Sequence, residues 1–235
     1  MRYIEIAYKI SLEKCYNIFR VRREDVPILV ISPERLKFLI FDTNFENSLP
    51  VHLNNSKDFL VVGCTVGLRY SDLISLKKQN LQFRGEATYL YCKAQKTGFE
   101  TVIKLPDYVQ KIFNKRIKCK TLLHPISNHR LNINLKKLCA LAGWDEPVAK
   151  FRNKEGRQKQ FFKNGKPYKF SDLVTTHIMR RTAITTLLTM GLDEILVRRI
   201  SGHSDNSISF YRYVKYSQNY IDTKIDLVYA KLTSK

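Results

Sequence analysis

No apolar run in this chain approaches the ~20 residues needed to cross a bilayer as a helix. The longest, FLVVGCTVGL, is about half that length. The opening MRYIEIAYKI carries Glu5 and Lys9 inside its apolar stretch and has no small-residue cleavage site, so no signal peptide is expected. Cysteine is sparse: Cys15, Cys64, Cys92, Cys119 and Cys139 are an odd number, widely spread, with no C-x-x-C pair. That usage argues against a disulfide framework and against structural zinc, and it fits a reducing compartment such as the cytoplasm. Neither Asp/Glu nor Cys/His residues fall at metal-ligand spacing, so no metal and no cofactor is expected. Internal repeats and low-complexity tracts are also missing.

Acidic residues are the most telling shortage. Asp and Glu number 21 against 41 Lys and Arg, a formal charge of +20. Such an excess destabilises a compact chain by self-repulsion unless a polyanion is its partner, and nucleic acid is the partner it points to. An anionic membrane surface is disfavoured because no basic amphipathic helix with a bulky apolar face stands out. At 235 residues and 44% apolar composition the chain can hold one good-sized domain with a real core.

Residues 1–28 read as a basic, weakly patterned lead-in ending in FRVRREDVP, where Pro27 breaks any helix. SPERLKFLIFD starts a helix with Ser32 as N-cap and Pro33 in the first turn. NSKDFLVVGCTVG reads as an apolar helix capped near Asn55 or Ser56 and stopped at Gly67. The next helix, in LRYSDLISL, takes Ser71 or Asp72 as its cap. The pattern then becomes β-rich: ATYLYCKA and TVIKLP flank QKTGFE, a hairpin with Gly98 at the turn. PDYVQKIFNKRI and a short NLKKLCALAG are helical. Residues 149–170 are so basic and turn-rich that they read as a hairpin or a mobile loop. The last third is helical, with THIMRRTAITTLLTMG stopping at Gly191, DEILVRRISG at Gly202, and a final helix beyond. The fold class expected is α+β, mainly α-helical, with a small antiparallel sheet.

Several residues along this path suit phosphate chemistry. Arg69 stands at a helix-to-helix junction, Lys96 at a hairpin tip, and His177 and Arg180 lie on one face of a helix at i, i+3. His203 follows the Gly202 stop, ahead of Tyr211, Tyr213 and Tyr216. Each alone has a mundane explanation: a loop arginine or hairpin lysine is usually a solvated charge, and a histidine after glycine is often a cap. Their order is more specific. GLRYSDLISL, then KTG between strands, then HIMRRTAITTLLTMG, a helix, SGH and tyrosines resembles the catalytic domain of the tyrosine recombinases, the phage-type integrases. The resemblance spans roughly residues 30–230, and GLRYSDLISLKKQNL and SFYRYVK are most similar in texture to integrases of Bacteroides phages and conjugative elements. The N-terminal core-binding domain of such enzymes is not recognisable here. Residues 1–28 then look like its tail and linker, and 29–235 like the catalytic domain with a C-terminal tail helix.

The resemblance implies site-specific DNA cleavage and rejoining without metal or ATP, through a 3′-phosphotyrosyl intermediate. Double-stranded DNA would be the partner, bound by a homo-oligomer, a tetramer on DNA. Arg69 and Arg180 would clamp the phosphate, since a guanidinium presents a fixed fork to its oxygens. Lys96 would be the general acid to the leaving 5′-oxygen. His177 and His203 would hydrogen-bond the phosphate, Asp72 would orient Arg69, and Arg181 stands where the family has histidine or lysine. By their charge, not the resemblance, Lys150, Arg152, Lys154, Arg157, Lys159, Lys163 and Lys166 are assigned to the DNA backbone, with a solvated loop as the alternative reading.

The nucleophile needs a choice. The family's usual spacing from the last histidine falls on Arg212, which cannot serve, so Tyr213 and Tyr211 both qualify. At ~100° per residue, Phe210, Val214, Ile221, Ile225 and Val228 share a stripe, with Tyr211 roughly 60° from its centre and Tyr213 about 100° away. This predicts Tyr211 as the better-buried ring and Tyr213 as the freer hydroxyl. The run SFYRYVK also aligns Tyr213 with the family's tyrosine, placing the added residue in SDNSI. Two other readings stay open: a type IB topoisomerase, which shares this chemistry, and a non-catalytic DNA-binding relative in which the shift has displaced the tyrosine.

Overall fold

The computed structural model describes residues 28–96, 98–154, 157–203, 210, 211, 213, 214, 222, 225, 226, 229 and 230. The expected lead-in before Ile28, the loop SDNSI and most of the tail lie outside the described residues. Helix α1 (Pro33–Phe41) begins as expected, with the Ser32 hydroxyl accepting from the Arg35 amide at 3.3 Å. A short α2 (Thr43–Ser48) follows, capped by Asp42. Helix α3 (Val51–Val66) starts earlier than the sequence suggested. Pro50 supplies the extended entry, and Ser56, expected near the cap, sits inside and donates to the His52 carbonyl at 2.8 Å. A serine that bonds the carbonyl four residues back is compatible with a helix interior, so its presence alone does not mark a start.

Helix α4 (Tyr70–Ile74) also corrects its expected cap. Arg69 occupies the cap position with extended backbone (φ −71°, ψ 154°), while Ser71 and Asp72 lie within the helix. Asp72 is not free to cap because its carboxylate is used across the structure, on the Gln95 amide. Strands β1 (Leu81–Arg84), β2 (Ala87–Lys93) and β3 (Glu100–Lys104) form an antiparallel sheet in that order. The β2–β3 hairpin was expected. Strand β1 was not, because the Leu81/Phe83 alternation in LQFR is only four residues long and mostly exposed. In the hairpin Leu90 opposes Ile103 and Cys92 opposes Thr101, so one face turns inward while Tyr89, Tyr91 and Val102 face out.

Helix α5 (Asp107–Asn114) follows Pro106 and ends before the expected Ile117. Helix α6 (Asn128–Leu141) is longer than the short segment expected. It starts at a Ser127 cap, and Asn134 lies buried within it, donating to the Ser56 hydroxyl at 2.9 Å. Strand β4 (Pro147–Val148) pairs with β7 (Tyr168–Lys169), and between them β5 (Lys150–Lys154) pairs antiparallel with β6 (Arg157–Phe161). The basic stretch is therefore a hairpin, and Ala149–Pro167 belong to a different compact unit from Ile28–Val148 and Tyr168–Lys235. Helices α7 (Phe170–Leu173), α8 (His177–Thr189) and α9 (Glu194–Ser201) complete the assigned elements. Among the described residues no helix is long and apolar enough to cross a membrane.

The main core is built around α3, whose Phe59, Leu60, Val62 and Val66 are fully enclosed. Helix α8 packs on α3 with Met179 directly against Gly63. A Cβ added to Gly63 would lie 2.4 Å from the Met179 sulfur and 2.9 Å from its Cβ, so only a residue without a side chain fits there. Gly63→Val is expected to lower stability by about 1–3 kcal/mol through overpacking. Thermal unfolding of the variant against the parent checks this.

Candidate active site

The approach of α8 to α3 brings Arg180 to the C-terminal end of α3. Gly67 ends that helix in the left-handed region (φ +66°), which turns its carbonyl out of the helix direction. The Arg180 Nη1 donates to that carbonyl at 2.9 Å. A cation at a helix C-terminus also meets the negative end of the helix dipole. The neighbouring Arg69 is half-buried at the start of α4. Burial, reinforced by the charge of Arg69, pulls the Arg180 guanidinium down to about 10, which leaves it charged at neutral pH; Tyr213 and Asp72 act in the opposite sense.

The other Arg180 nitrogen, Nη2, lies 3.2 Å from both ring nitrogens of His203. The hydrogen bonds around Ser201 assign the tautomer. The Ser201 hydroxyl donates to the Val197 carbonyl at 2.7 Å, so its lone pair accepts from His203 Nδ1–H at 2.8 Å. Nε2 is then unprotonated and accepts from Arg180. Burial first, then the charges of Arg180, Arg69 and Arg198, hold the imidazole down at about 3, so it is neutral in the free protein. The ring is fixed from its backbone too: the His203 amide donates to the Arg198 carbonyl at 3.0 Å, across the Gly202 turn.

Tyr213 joins this group. Its ring centroid lies 6.1 Å from that of His203, and its partly buried side chain packs against a small cluster of Ile184, Leu188, Val197 and Phe210. Phe210 is fully buried and anchors the turn. Tyr211, expected to be the better-buried ring, is instead 56% exposed, with its ring 4.8 Å from the Arg198 guanidinium. Tyr213 shares the buried side with Phe210 and Val214, at i, i+3, i+4, while Ile225 of the expected stripe is 43% exposed. Tyr213 keeps its place as candidate, by being held beside His203 rather than by being free.

Lys96 is exposed at the tip of the β2–β3 hairpin, and His177 is exposed on the first turn of α8. That turn is held to α6, where Asn132 and Asn128 accept from the Thr176 amide and hydroxyl at 2.8 and 2.9 Å. Among the described residues no hydrogen bond joins Lys96 or His177 to the Arg180–His203 pair. Asp72, expected to orient Arg69, bonds elsewhere: Oδ1 accepts from the Gln95 amide at 3.0 Å, and Oδ2 is buried without a hydrogen-bond partner. Its four-atom reach is taken by the hairpin lying across α4. Arg181 is half-buried beside Arg180. On the basic hairpin Lys159, Lys163 and Lys166 are exposed and Lys150 is half-buried, while the side chains of Arg152, Lys154 and Arg157 lie outside the described residues.

Sequence reasoning passed over Ser201 and Arg198. Arg198 is 5% exposed, with its guanidinium 4.1 Å from the Phe210 ring and Nε and Nη2 donating to Glu194 at 2.8 and 2.6 Å. The only sequence signal was the i, i+4 Glu194–Arg198 spacing.

The mainly helical frame that carries this site is shared with solved structures. The fold is similar to the XerH site-specific recombinase bound to palindromic difH substrate, with TM-score 0.57 and 13% identity over 83% of this chain and 52% of that one. A lambda integrase dimer bound to a COC′ core site gives TM-score 0.54 and 16% identity over 89% and 54% of the two chains. The Tn1549 transposon integrase with circular intermediate DNA gives 0.52 and 16% over 82% and 62%. This chain spans about half the length of the XerH and lambda integrase chains. No curated protein matches it in sequence. The model of the phage integrase family matches residues 48–219, nearly three-quarters of the chain, and the chain belongs to that family.

The low value for His203 makes a pH prediction. Its folded value lies below the ordinary ~6.5, so the unfolded chain takes up the proton first. The contribution of His203 to stability is complete above about pH 6.5 and is lost progressively as pH falls toward 3. Unfolding measured at pH 7 and pH 5 is expected to show a smaller loss of stability in His203→Gln than in the parent. Equal losses would show that His203 is not held neutral.

Proposed function

We propose that this chain cleaves and rejoins double-stranded DNA as the catalytic part of a site-specific recombinase, with Tyr213 as nucleophile. The observation that carries the reading is the placement of Tyr213 against His203, whose Nε2 is bonded to Arg180. A tyrosine hydroxyl is a poor nucleophile at its ordinary pKa of about 10 unless cations surround it. Arg180 and Arg69 supply that surrounding. In the reaction Tyr213 Oη attacks the phosphorus, the bond to the 5′-oxygen breaks, and a 3′-phosphotyrosyl bond takes its place. The tyrosine proton passes to a base, for which His177 is the candidate, and the 5′-oxygen takes a proton from Lys96. The phosphoester energy is conserved in the new bond, so the 5′-hydroxyl can reverse the step and rejoin the strand.

A bound phosphate would change the state of His203. Its negative charge offsets the arginines that keep the ring neutral, so protonation becomes favourable as the phosphate enters. Nε2–H can then donate to a phosphate oxygen. We place the basic hairpin against the DNA backbone, contributing salt-dependent affinity and no base selection. Lambda integrase forms a tetramer on a Holliday junction, and an assembly of the same kind is the working state assigned here. The Tn1549 neighbour is a transposon integrase, in keeping with a mobile element as the source and a bacterial cytoplasm as the place of action.

The test is covalent capture. A library of nicked duplexes with randomised centres is incubated with the protein, and denaturation-resistant protein–DNA adducts are isolated and sequenced. Adducts are expected from the parent and from Tyr211→Phe, and none from Tyr213→Phe. Arg180→Ala is expected to reduce the rate by roughly 10²–10³. Adducts from Tyr213→Phe would overturn the choice of nucleophile. Salt-dependent binding with no adduct under any condition would make the chain a non-catalytic relative.

A further inference from the structure

Lys96 sits at the end of a hairpin, on a long flexible side chain, yet a general acid must meet one particular oxygen. The residue before it shows how the tip is held. Gln95 makes three hydrogen bonds to α4, the helix that begins beside Arg69. Its backbone amide donates to Asp72 Oδ1 at 3.0 Å, and its side-chain nitrogen Nε2 donates to the Ser71 carbonyl and to Ser75 Oγ, each at 3.2 Å.

The donors and acceptors balance. Helix α4 ends at Ile74, so the Ser71 carbonyl is one of the helix-end groups that lack an intrahelical partner. The Ser75 hydroxyl gives its hydrogen to the Asp72 carbonyl at 2.8 Å, leaving a lone pair to accept from Gln95. A primary amide has two hydrogens, and Gln95 spends one on each acceptor. Asp72 is 1% exposed, which makes the third bond a charge-assisted contact shielded from water. No other residue type offers two such hydrogens without charge at this reach, apart from the shorter asparagine.

We infer that Gln95 is a positioning residue for Lys96, tying the hairpin tip to the helix that starts at Arg69, so that the phosphate clamp and the acid on the leaving oxygen are held in one frame. The inference rests on reading Lys96 as the acid. Gln95 itself touches no reacting atom. Its loss releases the side-chain half of the latch and leaves the backbone bond to Asp72 in place.

The experiment uses a cleavable duplex recovered from the adduct library, made in two forms: one with the natural 5′-oxygen at the scissile phosphate, one with sulfur in its place. A thiolate (thiol pKa about 8.5) leaves without a proton, so a missing or misplaced acid no longer matters. Single-turnover adduct formation is measured for the parent and for Gln95→Ala, Lys96→Ala and Arg180→Ala, with a thermal melt of each. On the oxygen substrate Lys96→Ala is expected to lose ~10²–10⁴-fold and Gln95→Ala about 10- to 100-fold. On the sulfur substrate both are expected to return to the parent rate, while Arg180→Ala stays slow. If Lys96→Ala recovers and Gln95→Ala does not, or if Gln95→Ala shows no defect on the oxygen substrate, the latch has no part in placing Lys96. If Lys96→Ala fails to recover, the assignment of Lys96 as the acid falls, and the inference with it.

Discussion

The hydrogen bond from Arg180 to the carbonyl of Gly67 ties three parts of the chain to one point. Gly67 closes α3, the helix at the centre of the main core, so the guanidinium is referenced to that core. Arg180 belongs to α8, which the bare backbone at Gly63 admits close to α3. Its second amino group meets His203 on the turn after α9, and His203 in turn lies against Tyr213. Remove the left-handed turn at Gly67 and the carbonyl no longer faces α8; the order of contacts to the tyrosine starts there.

The partners of Arg180 are a carbonyl and a neutral ring, and neither cancels its charge. A surface arginine would normally find a carboxylate, and this one lies beside a second cation, Arg69, with Arg69 and Arg198 also acting on its partner His203. The carboxylate nearest in effect, Asp72, is engaged with the hairpin through one oxygen and buried without a partner at the other. Dipoles and geometry hold the cations in place, so the phosphate of the proposed reaction would find them already oriented. That arrangement destabilises the empty protein and favours the occupied one, which is the logic of a preorganised anion site.

Much of this was legible in the sequence, for identifiable reasons. Helix ends marked by Gly67 and Gly202 and by the Ser32 cap were read where they stand, because glycine and serine act through local backbone chemistry. The β2–β3 hairpin announced itself through β-branched and aromatic runs. The starts of α3 and α6 were missed because Ser56 and Asn134, which look like caps, are buried polar residues bonded to each other. Such a long-range bond has no signature along the chain. The same holds for Asp72 and Gln95. Tyr213 was chosen for its supposed freedom, and the phase argument failed because angle alone does not say which flank of the Phe210–Val214 stripe meets Ile184, Leu188 and Val197. Which tyrosine faces His203 is decided by a cluster that only folding assembles.

That cluster has its own consequence. Phe210 and Val214 attach the turn bearing Tyr213 to Ile184, Leu188 and Val197, a core separate from the one around α3. Regions with few buried apolar contacts open at free energies well below that of global unfolding. The turn with the tyrosine rests on this small core, so its opening is expected to cost less than unfolding α3, α6 and the sheet. Exchange of its amides with solvent should run ahead of the rest of the domain, and reattachment is a packing event that hinges on one phenyl ring.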